Sequence, residues 1–156
     1  LRGGKGSAFE GGTRVPFLLR WPQRVKPGVS DALVGQIDLM ASLARLTNTT
    51  LKETDAPDSF DVFSALLGES REGRGHLVQQ GGPLSLRAGP WKYIEPAKGA
   101  KRNANTGTES GADPIGQLYN LAEDLAETRN LAETQPERLK ALAARLEQIR
   151  SKTGSR

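Results

Sequence analysis

The sequence has no cysteine, a single histidine and few aromatic residues, and each scarcity limits the chemistry of this chain. Without cysteine, its 156 residues can form no disulfide, thiolate metal site or cysteine nucleophile, and the redox compartment cannot be inferred. A lone histidine, here His76, is more often a packed or surface residue than a catalyst, although its pKa suits proton transfer. No apolar run approaches the roughly 20 residues that a membrane-spanning helix needs, so we expect no membrane association.

The composition indicates a globular chain with an uneven charge. An apolar content of 36% and a mean hydropathy of −0.52 are typical of a chain that buries one core or parts of two. The net charge is +4, but residues 1–30 carry six basic residues against a single acidic one, which favours binding of anions. The first residues do not resemble a signal peptide, so we expect the C-terminal portion of a longer protein and leave the localisation open.

Five glycines surround Lys5 within residues 3–16. Glycine adopts backbone angles closed to other residues, so this stretch predicts a tight loop that fixes an ammonium group suited to a tetrahedral oxyanion. A P-loop is excluded because Gly6 separates Lys5 from Ser7, and the dinucleotide fingerprint is excluded because Phe9 stands in place of its third glycine. An ordinary polar turn with a solvated lysine is the alternative at this point.

Residues 4–16 read Gly-Lys-Gly-Ser, two residues, Glu-Gly-Gly, one residue, Arg, one residue, Pro. This string resembles the corresponding segment of the formylglycine-dependent sulfatases, in the alkaline-phosphatase-like superfamily. The resemblance covers nearly the whole chain and continues at Trp21-Pro22 and at residues 36–38, 89–94 and 118–121. The chain departs from the family where Asp124 is followed by leucine instead of proline, which concerns a turn and not the chemistry.

The resemblance implies the C-terminal fragment of an α/β, alkaline-phosphatase-like sulfatase. Residues 1–70 would form the end of the α/β core with the lysine loop. Residues 71–156 would form a small α+β subdomain with an antiparallel sheet and a C-terminal helix.

Residue patterns predict the individual elements. The apolar run at 15–21 favours a buried strand, and short runs bounded by turn residues favour an antiparallel meander. Apolar spacing predicts a helix from about Asp38, with Asp38 as its N-cap, and a second helix at 58–68. A capping box at 134–137 predicts the start of the last helix. Apolar residues at three- and four-residue spacing from Leu139 to Ile149 predict that this helix packs on one face of the meander. The meander strands are predicted at 76–80, 84–87 and 91–95, with a candidate fourth at 116–120.

The segment 96–114 is long, polar and glycine-containing, so we expect it to be disordered. If it folds over a pocket instead, Lys98, Lys101 and Arg102 would be placed to meet an acidic polymer.

Sulfatases hydrolyse sulfate esters with a formylglycine, made from Cys or Ser in a Cys/Ser-x-Pro-x-Arg motif, and with a Ca²⁺ held by Asp and Asn. This chain contains no such motif and no Asp-Asn metal pair, so both groups would come from a missing N-terminal portion, and we expect the fragment alone to be inactive. Lys5 matches the family's lysine in the Gly-Lys-Gly segment, and the resemblance implies that it binds the sulfate and stabilises the leaving oxygen. His76 is a weaker candidate for the pocket rim. The implied substrate is a sulfated small molecule or a sulfated polysaccharide.

Two other functions are compatible with the residues. A pI near 9.6 is compatible with a non-catalytic basic module for an acidic polymer. Because no recognition motif and no interleaved aromatics accompany the charge, we do not predict nucleic-acid binding. A phosphodiesterase or phosphonate hydrolase of the same superfamily would use the same electrostatics with a different nucleophile.

Overall fold

The computed structural model describes residues 1–152 and 154, and its elements fall into two compact units. The first, called the sheet unit, comprises Leu1–Pro16 and Val78–Gln148. The second, called the helical unit, comprises Phe17–Leu77 and the described residues from Ile149 onward. The lysine loop thus groups with the sheet rather than with the residues that follow it in sequence. The predicted division of the whole protein at residue 70 stays a prediction.

A four-stranded antiparallel sheet forms the centre of the sheet unit, in the order β1-β2-β3-β4. Hairpin connections produce this order, because each strand follows its neighbour along the chain. In the register, Leu86 pairs with Tyr93, and Tyr93 pairs with Leu118. The predicted meander is therefore confirmed, including its fourth strand. The strands are β1 (Leu77–Gln80), β2 (Leu84–Ala88), β3 (Trp91–Ile94) and β4 (Gln117–Asn120).

Two helices complete the sheet unit. The four-residue helix α1 (Glu10–Thr13) directly follows the lysine loop, and α4 (Pro136–Arg150) lies near the end of the chain. In α4, Leu142 and Leu146 are buried, and the Arg138 guanidinium lies 4.1 Å from the centroid of the Trp91 ring. The last helix thus contacts β3, as its apolar stripe predicted. The core joins residues of α1, β3 and β4 with their flanks: Ala8, Phe9, Ile94, Tyr119 and Leu121.

The predicted capping box at the start of α4 is wrong in its detail. The Thr134 hydroxyl donates to the carbonyl oxygen of Leu131 instead of accepting a hydrogen bond at the helix start. The helix begins at Pro136, and proline suits this first position because it has no N–H to satisfy.

The helical unit contains a 3-10 turn (Gln36–Asp38) that continues into α2 (Leu39–Leu46), and the short α3 (Phe63–Leu66). The helix predicted from about Asp38 is confirmed, and Asp38 occupies its N-cap position, but the Asp38 side chain makes no capping hydrogen bond. Its fully buried carboxylate instead accepts hydrogen bonds from the N–H groups of Gly35 and Phe60 and from the Arg74 guanidinium, at 2.8, 3.0 and 2.7 Å. A buried carboxylate needs a charged partner, and Arg74 is that partner.

Two further predictions for this unit are corrected. The helix expected at 58–68 is shortened to α3, because the N–H groups of Phe60 and Val62 donate to the side chains of Asp38 and Ser42 rather than to helical carbonyls. The strand expected at 15–21 is absent, since no described segment pairs with it. Four of its apolar side chains are exposed instead, with Leu18 94% exposed. Among the described residues, no helix is long and apolar enough to cross a membrane.

Candidate functional site

The lysine loop, residues 3–7, is a tight turn that presents the Lys5 side chain to solvent. The Ser7 N–H donates to the Gly4 carbonyl at 2.9 Å, and Gly6 has a φ of +84°. This is the pattern of a type II turn, which requires a positive φ at its third position and therefore favours glycine there. Lys5 is exposed and has no ion-pair partner among the residues that the structure describes. The turn thus leaves the ammonium available for a ligand.

Close backbone packing fixes this loop. A Cβ atom at Gly12 would lie 2.2 Å from the Ser7 carbonyl oxygen, and a Cβ at Gly81, which follows β1, would lie equally close to the same oxygen. Neither position can accept a side chain without moving the backbone. The Gly-Gly pair after Glu10 is therefore explained by the approach of α1 to the loop.

A buried ion-pair cluster lies beneath the loop. The Lys92 ammonium of β3 is fully buried and lies 2.9 Å from Glu10 Oε1 and 3.1 Å from Glu127 Oε1. The Glu10 backbone N–H donates to Glu127 Oε2. Burial raises the pKa of Glu127, and the attraction of Lys92 opposes this rise. Lys92 thus forms ion pairs with two carboxylates. One of them belongs to Glu10, the first residue of the helix that follows the lysine loop.

Two arginines border this cluster on the Glu10 side. Arg87 lies 3.5 Å and Arg14 lies 3.7 Å from Glu10 Oε2. Glu10 therefore also pairs with Arg14, but this contact is longer than the contact between Glu10 and Lys92. Burial favours the Lys92 contact as the stronger of the two, because water screens exposed pairs.

Arg2 connects the loop to the segment 96–114. Its Nε and Nη2 donate to the two carboxylate oxygens of Glu109, both at 2.9 Å, and its Nη1 donates to the Glu127 carbonyl at 2.7 Å. The guanidinium also lies 4.0 Å from the centroid of the Phe9 ring. Hydrogen bonding to Arg2 lowers the pKa of Glu109, and burial raises the pKa of Tyr119 nearby to about 12.

The segment expected to be disordered is a folded hairpin. Residues 101–110, called the 101–110 hairpin, pair through an isolated bridge between Arg102 and Glu109 and through backbone hydrogen bonds at either side of it. The Ala8 N–H donates to the Ser110 carbonyl at 2.9 Å, which attaches the hairpin to the lysine loop. Sequence composition missed this because the bonds that order the hairpin come from distant residues.

A concavity of about 390 Å³ lies between the lysine loop and the 101–110 hairpin. Lys5 and Gly6 form one wall, and Arg102, Asn105 and Glu109 are among the hairpin residues of the other. Of the three cations of the segment 96–114, only Arg102 lines it. Lys101 instead lies 2.7 Å from Asp113. The volume is within the range of small-molecule sites, about 300 to 1,000 Å³.

His76 belongs to the helical unit. Its half-buried ring lies edge-on to Phe60, with 5.7 Å between ring centroids, and its carbonyl accepts a hydrogen bond from Arg74 Nε at 2.7 Å. These contacts account for a packed histidine, and its role at a pocket rim stays a prediction.

The buried carboxylates do not fit a calcium site. Glu10 and Glu127 are held by Lys92, and Asp38 is held by Arg74. Calcium prefers several free oxygen ligands around one position. The described part of the chain contains no group of three His, Asp or Glu side chains that could hold a metal ion.

Sequence reasoning did not identify Lys92, Glu127, Arg2 or Glu109 as parts of this site. For Lys92 a signal was present, because strand alternation places it on the same face as apolar Ile94. A lysine at such a position needs a buried anion. The loop residue Glu127 offered no comparable signal, since its partner is 35 residues away in the sequence.

Comparisons with known proteins identify similar sequences and structures. The family model described as Sulfatase matches residues 1–49. The chain is 43% identical to the N-acetylgalactosamine-6-O-sulfatase of Bacteroides thetaiotaomicron, over 97% of this chain and 30% of that protein. It is 32% identical to human arylsulfatase A, over 91% of this chain and 31% of that protein. The chain therefore spans about 30% of the length of these curated relatives.

A solved sulfatase structure from Bacteroides thetaiotaomicron, described in terms of the metabolism of multiple glycosaminoglycans, has the same fold over this region. The TM-score is 0.93 at 43% identity, with 97% of this chain and 32% of that chain covered. The similarity extends through both the lysine loop and the sheet.

The contact between Arg2 and Glu109 predicts a pH dependence of stability. Because the pKa of Glu109 is lowered in the folded protein, its stabilisation is complete above the ordinary value of 4.5 and is lost as the pH falls through the lowered value. We expect Glu109→Gln to have a lower melting temperature than the wild type at neutral pH. In acid, the melting temperatures of the two proteins should become similar. Thermal unfolding at a series of pH values measures this.

The matched control is Glu123→Gln, because Glu123 pairs with Arg129 at 3.3 Å with both side chains 65% exposed. This variant should have the same dependence of melting temperature on pH as the wild type, since water screens such a pair. Identical pH profiles for Glu109→Gln and the wild type would contradict the assignment.

Proposed function

Since this chain belongs to the sulfatase family, we propose that it forms the C-terminal portion of a sulfuric ester hydrolase in which Lys5 binds the sulfate group of the substrate. The observation that carries this proposal is the exposed Lys5 ammonium on a rigid turn that faces a concavity. The wider surroundings support it, because residues 1–30 carry mainly basic charge.

The role of Lys5 follows from where charge develops during the reaction. As the sulfate ester breaks, negative charge grows on the sulfuryl oxygens and on the bridging oxygen of the leaving alcohol. A fixed ammonium that lies close to these oxygens stabilises the transition state more than the ground state. The packing at Gly12 and the buried Lys92 support this role, because they hold the turn in place before the substrate binds.

The nucleophile and the metal would come from residues outside this chain. In the whole enzyme, a formylglycine would supply the nucleophile and Ca²⁺ would neutralise the sulfate. The carboxylates described above are unsuitable for this metal because arginine and lysine side chains already hold them. The contribution proposed for this chain is therefore binding and charge stabilisation through Lys5.

The exposed apolar residues of the helical unit support the presence of a covering partner. Phe17, Leu18 and Leu19 are 49%, 94% and 38% exposed. A contiguous apolar stretch of this kind is uncommon on a free surface. We infer that the rest of the enzyme covers it, since the relatives are about three times as long as this chain.

The substrate would be a sulfated small molecule or a sulfated polysaccharide. The similarity to an N-acetylgalactosamine-6-O-sulfatase favours a sulfated amino sugar. His76 would contribute to the rim of the pocket, as a secondary element of this proposal.

Replacing Lys5 tests the proposal. In the enzyme that carries this chain, we expect Lys5→Ala to lower kcat for 4-nitrophenyl sulfate by about 10² to 10³, the usual effect of removing a preorganised electrostatic group. The melting temperature should not change, since Lys5 is exposed. Steady-state kinetics and thermal unfolding measure the two quantities.

Lys140→Ala is the matched control, because Lys140 is an exposed lysine of α4 that pairs only loosely with Glu137 at 3.3 Å. It should retain wild-type kinetics. Wild-type turnover by Lys5→Ala would mean that Lys5 is an ordinary surface lysine, and the proposal would be abandoned.

The isolated 156-residue chain provides a second test. We expect it to hydrolyse no sulfate ester, because the nucleophile and metal would be absent. The assay is release of 4-nitrophenol from 4-nitrophenyl sulfate at high protein concentration. Turnover that copurifies with the chain and is abolished by Lys5→Ala would contradict the assignment of the nucleophile to other residues.

A further inference from the structure

We propose that Glu127 is a positioning residue for Lys5, because this one residue holds the chain on both sides of the lysine loop. The inference rests on the proposed function, since it assumes that Lys5 acts on the sulfate group. It adds a buried residue, far from Lys5 in the sequence, that affects turnover through Lys5.

The backbone of Glu127 has a conformation that disfavours glutamate. Its φ is +54°, in the left-handed region that residues other than glycine, asparagine and aspartate rarely adopt. Glycine would form the same turn without strain. Strained residues persist where the surrounding structure holds them, and they concentrate at functional sites. The presence of glutamate at this position is therefore explained by what its side chain does.

The side chain of Glu127 is completely buried and joins α1 to the sheet. Its Oε2 accepts a hydrogen bond from the Glu10 N–H at 2.6 Å, and its Oε1 lies 3.1 Å from Lys92 Nζ. The N–H groups of a first helical turn have no partner inside the helix, and Phe9 at the N-cap makes no side-chain bond to them. Glu127 thus satisfies one of these N–H groups of α1 from a distant part of the chain.

The backbone of Glu127 holds the chain before the lysine loop. Its carbonyl accepts a hydrogen bond from Arg2 Nη1 at 2.7 Å. The Arg2 carbonyl in turn accepts a hydrogen bond from the Gly11 N–H at 2.8 Å. Because Arg2 precedes the lysine loop and Glu10 follows it, Glu127 contacts the chain at both ends of the loop.

Between these two ends the loop itself is tightly folded. The Ser7 N–H donates to the Gly4 carbonyl at 2.9 Å, and the Phe9 N–H donates to Ser7 Oγ at 3.2 Å. A movement of either end would therefore displace the turn that carries Lys5. A fixed charge is effective where negative charge develops, and a displacement of about 1 Å can lower a rate about 100-fold.

Replacing Glu127 by glycine separates the turn from the side chain. Glu127→Gly relieves the backbone strain and removes the side-chain contacts with Glu10 and Lys92. In the enzyme that carries this chain, we expect kcat for 4-nitrophenyl sulfate to fall about 10- to 100-fold, with a smaller change in KM. Glu127→Gln retains an oxygen that can accept the Glu10 N–H, so it should recover part of the lost kcat.

A double-mutant cycle with Lys5→Ala tests whether Glu127 acts through Lys5. In the Lys5→Ala background, neither Glu127 variant should lower kcat further, because the group that Glu127 positions is gone. A loss of stability should be equal in the two backgrounds, and thermal unfolding measures it. If the glycine variant does not fold, the cycle with Glu127→Gln decides the question.

Ala56→Gly is the matched control. Ala56 also has a left-handed backbone, with a φ of +49°, but it belongs to the helical unit and its side chain is a single methyl group. The kcat of this variant should remain at the wild-type value. Its melting temperature should not fall, because glycine relieves the backbone strain.

Two outcomes would overturn the inference: wild-type kcat for both Glu127 variants, or the same fold-loss of kcat with and without Lys5. The second outcome would mean that Glu127 supports the fold in general and does not act through Lys5. Failure of the proposed function is distinct, because Lys5→Ala alone would then retain wild-type turnover.

Discussion

The ion pair between Lys92 and Glu10 is the interaction on which the site depends. Lys92 is fully buried in the central strand β3, and Glu10 begins the helix that follows the lysine loop. An ammonium in this environment must be paired, and in the described part of the chain the carboxylates of Glu10 and Glu127 form ion pairs with it. Because the sheet fixes Lys92, it also fixes the start of α1 and with it the loop that precedes α1.

Two further features extend this constraint to the lysine loop. Glycines at 12 and 81 allow the backbone of α1 and the backbone after β1 to approach the Ser7 carbonyl, so the lysine loop packs closely against both. Arg2 then connects the loop to Glu109 and to the Glu127 carbonyl. The result is a rigid scaffold under an exposed lysine. Such a design meets the requirement for electrostatic catalysis, since the charge is in place before the substrate arrives.

Local patterns were sufficient for much of the fold. The turn residues between 76 and 95 predicted the meander, and the apolar spacing of α4 predicted a helix that packs on it. Lys5 could be selected because glycines concentrate around it and because the string resembles a family segment. These signals are short-range, so they can be recognised without knowledge of the tertiary structure.

The predictions that were wrong share one cause: the conformation of each segment depends on a bonding partner that is distant in the sequence. The run 15–21 has the composition of a strand but has no described strand beside it, and backbone pairing rather than composition makes a strand. Asp38 has the spacing of a helix cap, yet it binds Arg74, 36 residues away. The segment 96–114 is polar, yet Arg2 and Ala8 order it from the other end of the chain.

The unfolding free energy of Lys92→Met tests the central claim most directly. The account predicts a loss of about 3 to 5 kcal/mol, because the variant leaves the buried Glu127 carboxylate without its cation and leaves Glu10 with only the longer contacts to Arg87 and Arg14. Lys101→Met should cost at most about 1 kcal/mol, since the Lys101 side chain is 73% exposed in its pair with Asp113. If Lys92→Met were as stable as the wild type, the lysine loop would not depend on this ion pair, and the account would be contradicted.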